Sequence, residues 1–586
     1  MAFYRKLTEG WQLDDGILTQ SVLAEPCGVY EALREAGRLS DASVGMNALS
    51  CEWIAAREWT YSLMLEMPEE DDERILLELP RVSGRGTAWL NGEKIADFEG
   101  GAVRLDLTGG MKAEGRNELQ IRFAPVSHVR PGMPAVPEIG ILCTPVLRAV
   151  NFATVEKVSL TSRMEGEEGV IIARFTLTAH VSGKYLFRYA LSLDGEAAGM
   201  HELTERLPAA RRDIRHEIRI PQAVRMDADR LDETVYGIKF TLERGGVGCD
   251  VRHMETAFVG EQAGQRAMAV REWPVSEDTA DRLKALGADG IVLSGMPKNA
   301  FEKNDFLSGL RVVEGRAYTA GMGMLREESL KRYAGGEEYW PCDRPLWRLR
   351  NDRLPGDEAF AGRSADDLAR AMRLVQAADV MARAQQCRRE RTRMIAQADE
   401  DFAVLCGHAL IEADGSLRPA AQALKAAWQE SHVFCELPEG GCCACDEMIR
   451  MNVWALADGL RGHVLTVSAR VLSMDGREIS SATFPVMGGD VRLAGVVNVR
   501  TGDEEGILIV RAELTEADGR LLDRCDSVLT VGRSSRMALL AQVEEAALTR
   551  RGTSVRNGSH TAALSAGLCL MPGESTEDTG REWLNA

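Results

Sequence analysis

The residues best equipped for chemistry lie in one short segment, Gly336-Glu-Glu-Tyr-Trp-Pro-Cys-Asp-Arg-Pro-Leu-Trp347. Tyr339, Trp340 and Trp347 offer flat apolar faces that can stack on a sugar ring, and the carboxylates beside them can accept hydrogen bonds from its hydroxyls. Glu337 and Glu338 are also the best candidates for general acid–base work, which needs a carboxyl at a reacting oxygen. The same composition suits a proline-rich loop whose tryptophans only cover an apolar surface. A second cluster is made of thiols. Cys435, Cys442, Cys443 and Cys445 lie close together, with Cys406-Gly-His408 not far before them. Zinc favours Cys and His in two short-spaced pairs. Cys-Cys-x-Cys is not such a pair, so reduced thiols in a loop between domains are expected and no metal is. Neither GxGxxG, nor a phosphate-binding loop, nor a GxSxG elbow is present, so no cofactor is expected.

These groups must be held by several domains. Residues 1–150 read as a jelly-roll β-sandwich: Thr60–Glu66, Glu73–Leu79 and Asn117–Phe123 have strand length or alternation, and Asn91-Gly92 is a hairpin turn. Residues 151–264 repeat the pattern through Gly169–Thr178, Tyr185–Leu193 and Tyr236–Glu243, which fits an immunoglobulin-like sandwich. The period changes after 265. Glu277–Gly287 predicts a helix, Gly290–Gly295 a buried parallel strand, Asn304–Leu310 a second helix and Ser364–Gln397 a long helical region. Residues 265–430 are therefore expected to be α/β. A C-terminal β-sandwich follows over 431–535, with Val464–Leu472 and Gly506–Leu514 as its clearest strands. Residues 536–586 read as one helix, Met537 to Thr549, and a flexible tail.

The order of these parts resembles glycoside hydrolase family 2, and within it the β-mannosidase-like branch. Pro26–Leu33, Gly45-Met-Asn47, Trp53 and Trp59-Thr-Tyr61 look like the branch's opening; Ala88-Trp-Leu-Asn-Gly92 and Gly115-Arg-Asn-Glu-Leu119 match its strand entries. Arg282–Leu293 is similar to a first barrel helix and second strand, Leu374–Asp379 to a late helix, and Asp414–Lys425 to the barrel's exit. The segment around Tyr339-Trp340-Pro341 resembles the branch's loop over the sugar pocket. The resemblance implies a (β/α) barrel carrying two glutamates, an acid/base after asparagine and a nucleophile usually after serine. Retention requires such carboxyls about 5–5.5 Å apart. Here Asn117-Glu118 falls in the jelly roll, where a surface glutamate is expected, and Ser276-Glu277 falls at a helix start, where a cap is expected. The interval 265–430 holds about 166 residues, against about 250 and rarely fewer than about 200 for a closed barrel. Pro134–Ile141 also lacks the tryptophans of the branch's pocket segment.

A truncated barrel without its catalytic pair is thus expected: a degenerate relative, either carbohydrate-binding or a structural partner. The alternative is an active retaining exo-β-mannosidase or related β-glycosidase. The partner implied is a β-linked sugar or oligosaccharide, with homo-oligomer formation open. Composition narrows the rest. The chain has 586 residues, 45% apolar and 27% charged, with formal charge −19. Nucleic-acid binding needs a basic footprint that this charge denies. No apolar run reaches the ~18 residues of a membrane span, and the start lacks a secretory apolar core. Scattered cysteines in odd number fit a reducing, cytoplasmic compartment.

Overall fold

In a computed structural model the chain is described over residues 3–17, 20–42, 47–66, 74–112, 115–126, 136–224, 235–258, 264–304, 306–318, 323–324, 365–399, 406–412, 415–534, 536–543, 548–551, 554–564 and 568–578. It divides into two compact units. One comprises Met1–Gly264, Val270–Lys284 and Asp289–Glu314; the other comprises Gln265–Ala269, Ala285–Ala288 and Gly315–Ala586.

The first unit opens with a nine-stranded sheet. Among its strands are β1 (Trp59–Glu66), β2 (Arg74–Leu90), β3 (Glu93–Asp106), β4 (Arg116–Phe123) and β5 (Val146–Val150). β4 lies antiparallel between β1 and β2. Its alternation works as the sequence implies: Asn117, Leu119, Ile121 and Phe123 are buried, while Glu118 is exposed. Asn91 and Gly92 join β2 to β3 with φ of 54° and 84°, the left-handed pair whose twist suits a two-residue hairpin.

Two four-stranded sheets follow. β6 (Ala153–Glu165), β7 (Glu168–Ala179) and β10 (Arg211–Ile220) form one, completed by Glu302–Asn304 running parallel to β6. β8 (Gly183–Leu193), β9 (Glu196–Leu207), β11 (Tyr236–Arg244) and β12 (Val247–Thr256) form the other. Phe175, Phe187, Tyr189 and Phe240 are shared in their buried core. Charges tie this core to the first sheet. The Glu78 carboxylate on β2 accepts from Arg104 on β3 at 2.6 Å, from Arg252 on β12 at 3.0 Å and from Arg148 on β5. Arg148 also binds Asp250 at 2.5 Å.

The α/β part within this unit is short. α1 (Glu277–Ala285) starts at Ser276, whose Oγ accepts the Thr279 N–H at 3.2 Å as an N-cap should. β14 (Gly290–Leu293) runs parallel to β16 (Leu310–Val312). The helix expected over Asn304–Leu310 is absent. β15 (Phe306–Leu307) instead pairs antiparallel with β16. Ser308 and Gly309, at φ of 44° and 87°, turn the chain between them. Phe306, Leu307 and Leu310 fit one helix face and one hairpin equally well, and the left-handed turn decides.

In the second unit β13 (Arg266–Val270) runs parallel to β17 (Met394–Gln397) through Arg266–Ala269. The long helical region ends early: α2 (Ala365–Glu390) stops, Arg391 takes φ of 55°, and Met394–Gln397 is strand. Here tertiary pairing overrides local pattern, because a parallel neighbour supplies the ladder. α3 (Pro419–Ala427) packs on α2. The C-terminal sandwich sets β18 (Ser431–Cys435), β19 (Met448–Ala457) and β22 (Arg492–Arg500) in one sheet. The other holds β20 (Val464–Ser473), β21 (Glu478–Met487), β23 (Gly506–Thr515) and β24 (Leu521–Val531).

Asp523 to Val531 of β24 are all buried, so both faces of that sheet are covered. Leu529 faces the sandwich core. Val528 and Ile509 meet Ala371 and Leu374 of α2 together with Ala562, Leu564, Cys569 and Met571. The segment expected as a helix from Met537 and a flexible tail is thus different over its described residues. α4 (Arg536–Leu540) is one short turn of helix. β25 (Leu548–Arg551) and β26 (Ser554–Asn557) form a hairpin, and residues beyond it cap the sheet. Small and apolar residues there have a surface to cover, which sequence composition alone does not reveal.

Candidate functional site

Glu337, Glu338, Tyr339, Trp340 and Trp347 lie outside the described residues. The site is therefore approached from the strand ends that would have to support it. In the first unit, β13 runs out through Val270 into Arg271, Glu272 and Trp273. Val270 O is taken by both the N–H and the Oγ of Ser294, at 2.9 and 2.6 Å. A Cβ on Gly295 would lie 1.8 Å from Arg271 O, so these ends touch backbone to backbone. Trp273 O accepts from Arg81 at 3.1 Å.

Glu272 is a strand-end carboxylate that sequence reading did not single out. Its oxygens accept the Ser276 N–H at 3.1 Å and the Thr279 Oγ1–H at 2.5 Å. It braces the start of α1. The spacing of four residues between Glu272 and Ser276 was the available signal. Glu277 stands in the first turn of α1, where its charge favours the helix dipole. Asn117 is buried, with Oδ1 accepting from Asn91 Nδ2 at 2.8 Å and the Lys112 N–H at 2.7 Å. The Asn117-Glu118 pair is thereby part of a hairpin brace.

In the second unit, the end of β17 is bound to the strap that follows it. Gln397 Nε2 donates to Asp399 O at 2.8 Å, and Leu410 N donates to Gln397 O at 3.1 Å. Gln376 on α2 and the buried Arg418 both donate to Gly407 O, at 3.1 and 2.9 Å.

A general acid needs a carboxyl held above its ordinary range. Among the described residues Glu31, Glu302 and Asp526 are so held, each chiefly by burial. Glu31 is on the helix Val29–Glu35. Glu302 pairs with Arg252 at 3.2 Å in the buried charge cluster. Asp526, pushed up to about 6, sits in β24 between Arg511 and Arg524, each 2.9 Å away. Glu302 is on the short strand parallel to β6, and none of the three is on β13, β14, β16 or β17. Of the cysteine run, Cys435 is buried in β18, Cys442 is exposed, and Cys443 donates to Thr530 O at 3.6 Å. Among the described residues no group of three or more His, Cys, Asp or Glu is arranged to hold a metal ion.

Residues 11–140 match the family model described as glycosyl hydrolase 2 galactose-binding domain-like. Over 125 residues the chain is 29% identical to a β-mannosidase B of Emericella nidulans, covering 20% of this chain and 15% of that one. A β-mannosidase B of Thermothelomyces thermophilus is 30% identical over 101 residues, covering 17% and 12%. The chain thus spans under a sixth of the curated relatives it matches. The β-D-mannosidase of Dictyoglomus thermophilum shares its fold with TM-score 0.70 at 12% identity, over 98% of this chain and 96% of that one. Residues 11–140 are thus a galactose-binding-like domain of the glycosyl hydrolase 2 kind, and the chain as a whole has the fold of that mannosidase. The exo-chitosanase of Amycolatopsis orientalis, at TM-score 0.65 and 12% identity over the same shares, has this fold as well. The multidomain β plus α/β architecture read from the sequence is therefore the observed one, while identity at this level speaks for fold and not for activity.

Proposed function

We propose that this family 2 chain binds β-linked carbohydrate and does not hydrolyse it. One observation supports the reading: Glu272, beyond the end of β13, is spent on the start of α1, and the raised carboxyls Glu31, Glu302 and Asp526 lie on none of β13, β14, β16 and β17. The proposed organisation keeps residues 265–430 as a reduced barrel between the immunoglobulin-like sandwich and the C-terminal one. Among the described residues no helix is long and apolar enough to cross a membrane. A reducing, cytoplasmic setting is part of the proposal, supported by the thirteen cysteines being scattered through a long chain.

A panel of nitrophenyl β-glycosides tests the catalytic half of the proposal. No release above the rate of Glu337→Gln and Glu338→Gln variants is expected. Turnover in the ordinary enzyme range of about 1–1000 per second, lost in one of those variants, would replace it with an active retaining exo-β-glycosidase. Calorimetry with mannose and oligomannosides tests the binding half, and absence of heat would leave a structural partner.

A further inference from the structure

Resting on the carbohydrate reading above, we propose that the solvent face of β2, β4 and β1 is a binding platform for a neutral β-linked glycan chain. Trp89 on β2 stands opposite Gln120 on β4, and Thr87 opposite Arg122. On the far side of β4, Thr60, Ser62 and Met64 of β1 stand opposite Arg122, Gln120 and Glu118. Directly opposed residues share a face, so these side chains make one surface. The other faces of the same strands bury Ala88, Leu90, Leu119, Ile121, Phe123, Tyr61 and Leu63. The platform is therefore mounted on a rigid core.

Its polar groups are held in line before any ligand arrives. The Arg122 guanidinium lies 4.8 Å from the centre of the Trp89 ring. It donates to Gln120 Oε1 from Nε at 3.2 Å and Nη2 at 2.6 Å, and Gln120 Nε2 donates to Glu118 Oε1 at 2.7 Å. Planar guanidinium, amide and carboxylate side by side provide the paired donors and acceptors that vicinal hydroxyls match. Ordered beforehand, they lose little entropy on binding.

A second observation separates this face from an ordinary aromatic–arginine contact. Trp454 on β19 also lies under an arginine, Arg389, at 5.7 Å, but its indole N–H donates to Glu436 Oε2 at 3.1 Å. The indole N–H of Trp89 is covered and has no acceptor among the described residues. A covered N–H without a partner is destabilising, because it has given up water without a replacement. A ligand oxygen that reaches this N–H would supply the acceptor and bring a sugar face onto the ring. The occupant follows from the chemistry: Glu118 and Asp97 on this face oppose a phosphate backbone. Threonine, serine and glutamine around a single half-buried tryptophan suit a polyhydroxylated chain better than an apolar protein surface.

Titration of the full chain with mannohexaose and cellohexaose, read by calorimetry and tryptophan fluorescence, tests this. Gln120→Ala and Arg122→Ala are each expected to weaken binding about tenfold or more without moving the thermal midpoint. Trp89→Phe should abolish the fluorescence response. The double variant Trp340→Ala/Trp347→Ala should bind as the parent does. The reverse pattern, with binding kept in Gln120→Ala and Arg122→Ala and lost in the loop variant, overturns the platform and leaves the carbohydrate reading standing. No binding by the parent chain to either hexasaccharide overturns both.

Discussion

Glu78 is one carboxylate serving three guanidiniums, and the balance of that arrangement is testable. Burial alone would raise it, but Arg252, Arg148 and Arg104 together hold it well below the usual carboxylate range. A carboxyl depressed on folding contributes stability that is present above its unfolded value, about 4.3. That contribution is lost as pH falls below it toward the folded value. Glu78→Ala is expected to cost about 3–5 kcal/mol in denaturant unfolding at neutral pH, because it strands buried positive charge. Glu78→Gln should flatten the loss of stability between about pH 4.3 and 2. An unchanged acid limb in that variant would show that the cluster is not what titrates. Sequence could not reveal this hub, since Glu78, Arg148, Arg252 and Glu302 come from four separate strands. It did reveal the local devices: Asn91-Gly92 turns as read and Ser276 caps as read. The cysteine run, read as thiols in a loop between domains, instead has Cys435 in a buried strand and Cys442 and Cys443 in a short second one.

At the scale of elements, the strands were legible wherever one face meets water. β4 alternates, and so does β8. The reading failed where a segment is short or covered on both sides. Phe306-Leu307 and Leu310 are too few to distinguish helix from hairpin, and the difference is carried by Ser308 and Gly309 in left-handed conformation. Gly309→Ala is accordingly expected to destabilise the hairpin by about 1–2 kcal/mol, whereas Ser308→Gly should be neutral or stabilising. Thermal unfolding of the two variants checks both signs, and equal effects would remove the turn from the account. The end of α2 was illegible for another reason: Met394–Gln397 is strand because Arg266–Ala269, more than a hundred residues earlier, runs beside it. Site legibility has the same limit. Tryptophans and carboxylates at 336–347 draw attention by composition, while the Trp89 face is distributed over three strands and emerges only from their register.

For the molecule as a whole, much of the described chain is spent on β-sheets, and described residues beyond 536 cover one of them. Glu574 accepts from Arg511 at 2.7 Å and Arg524 at 3.1 Å, and both arginines donate to Cys569 O. Deleting residues 554–586 is expected to lower the stability of the C-terminal sandwich by about 3 kcal/mol or more. It should also raise dye binding to the exposed Ile509 and Val528. A deletion that melts as the full chain does would mean that the segment adds nothing.

The division into units has a consequence for how such a chain can change in length. Between Gly264 and Gly315 the backbone passes from one unit to the other five times. A piece ending at Glu314 would carry Gln265–Ala269 without the strand Met394–Gln397 that pairs with it, and a piece starting at Gly315 would lack its neighbour. Neither unit can be inherited as one continuous stretch of gene. A cut anywhere between Gln265 and Glu314 therefore divides both units.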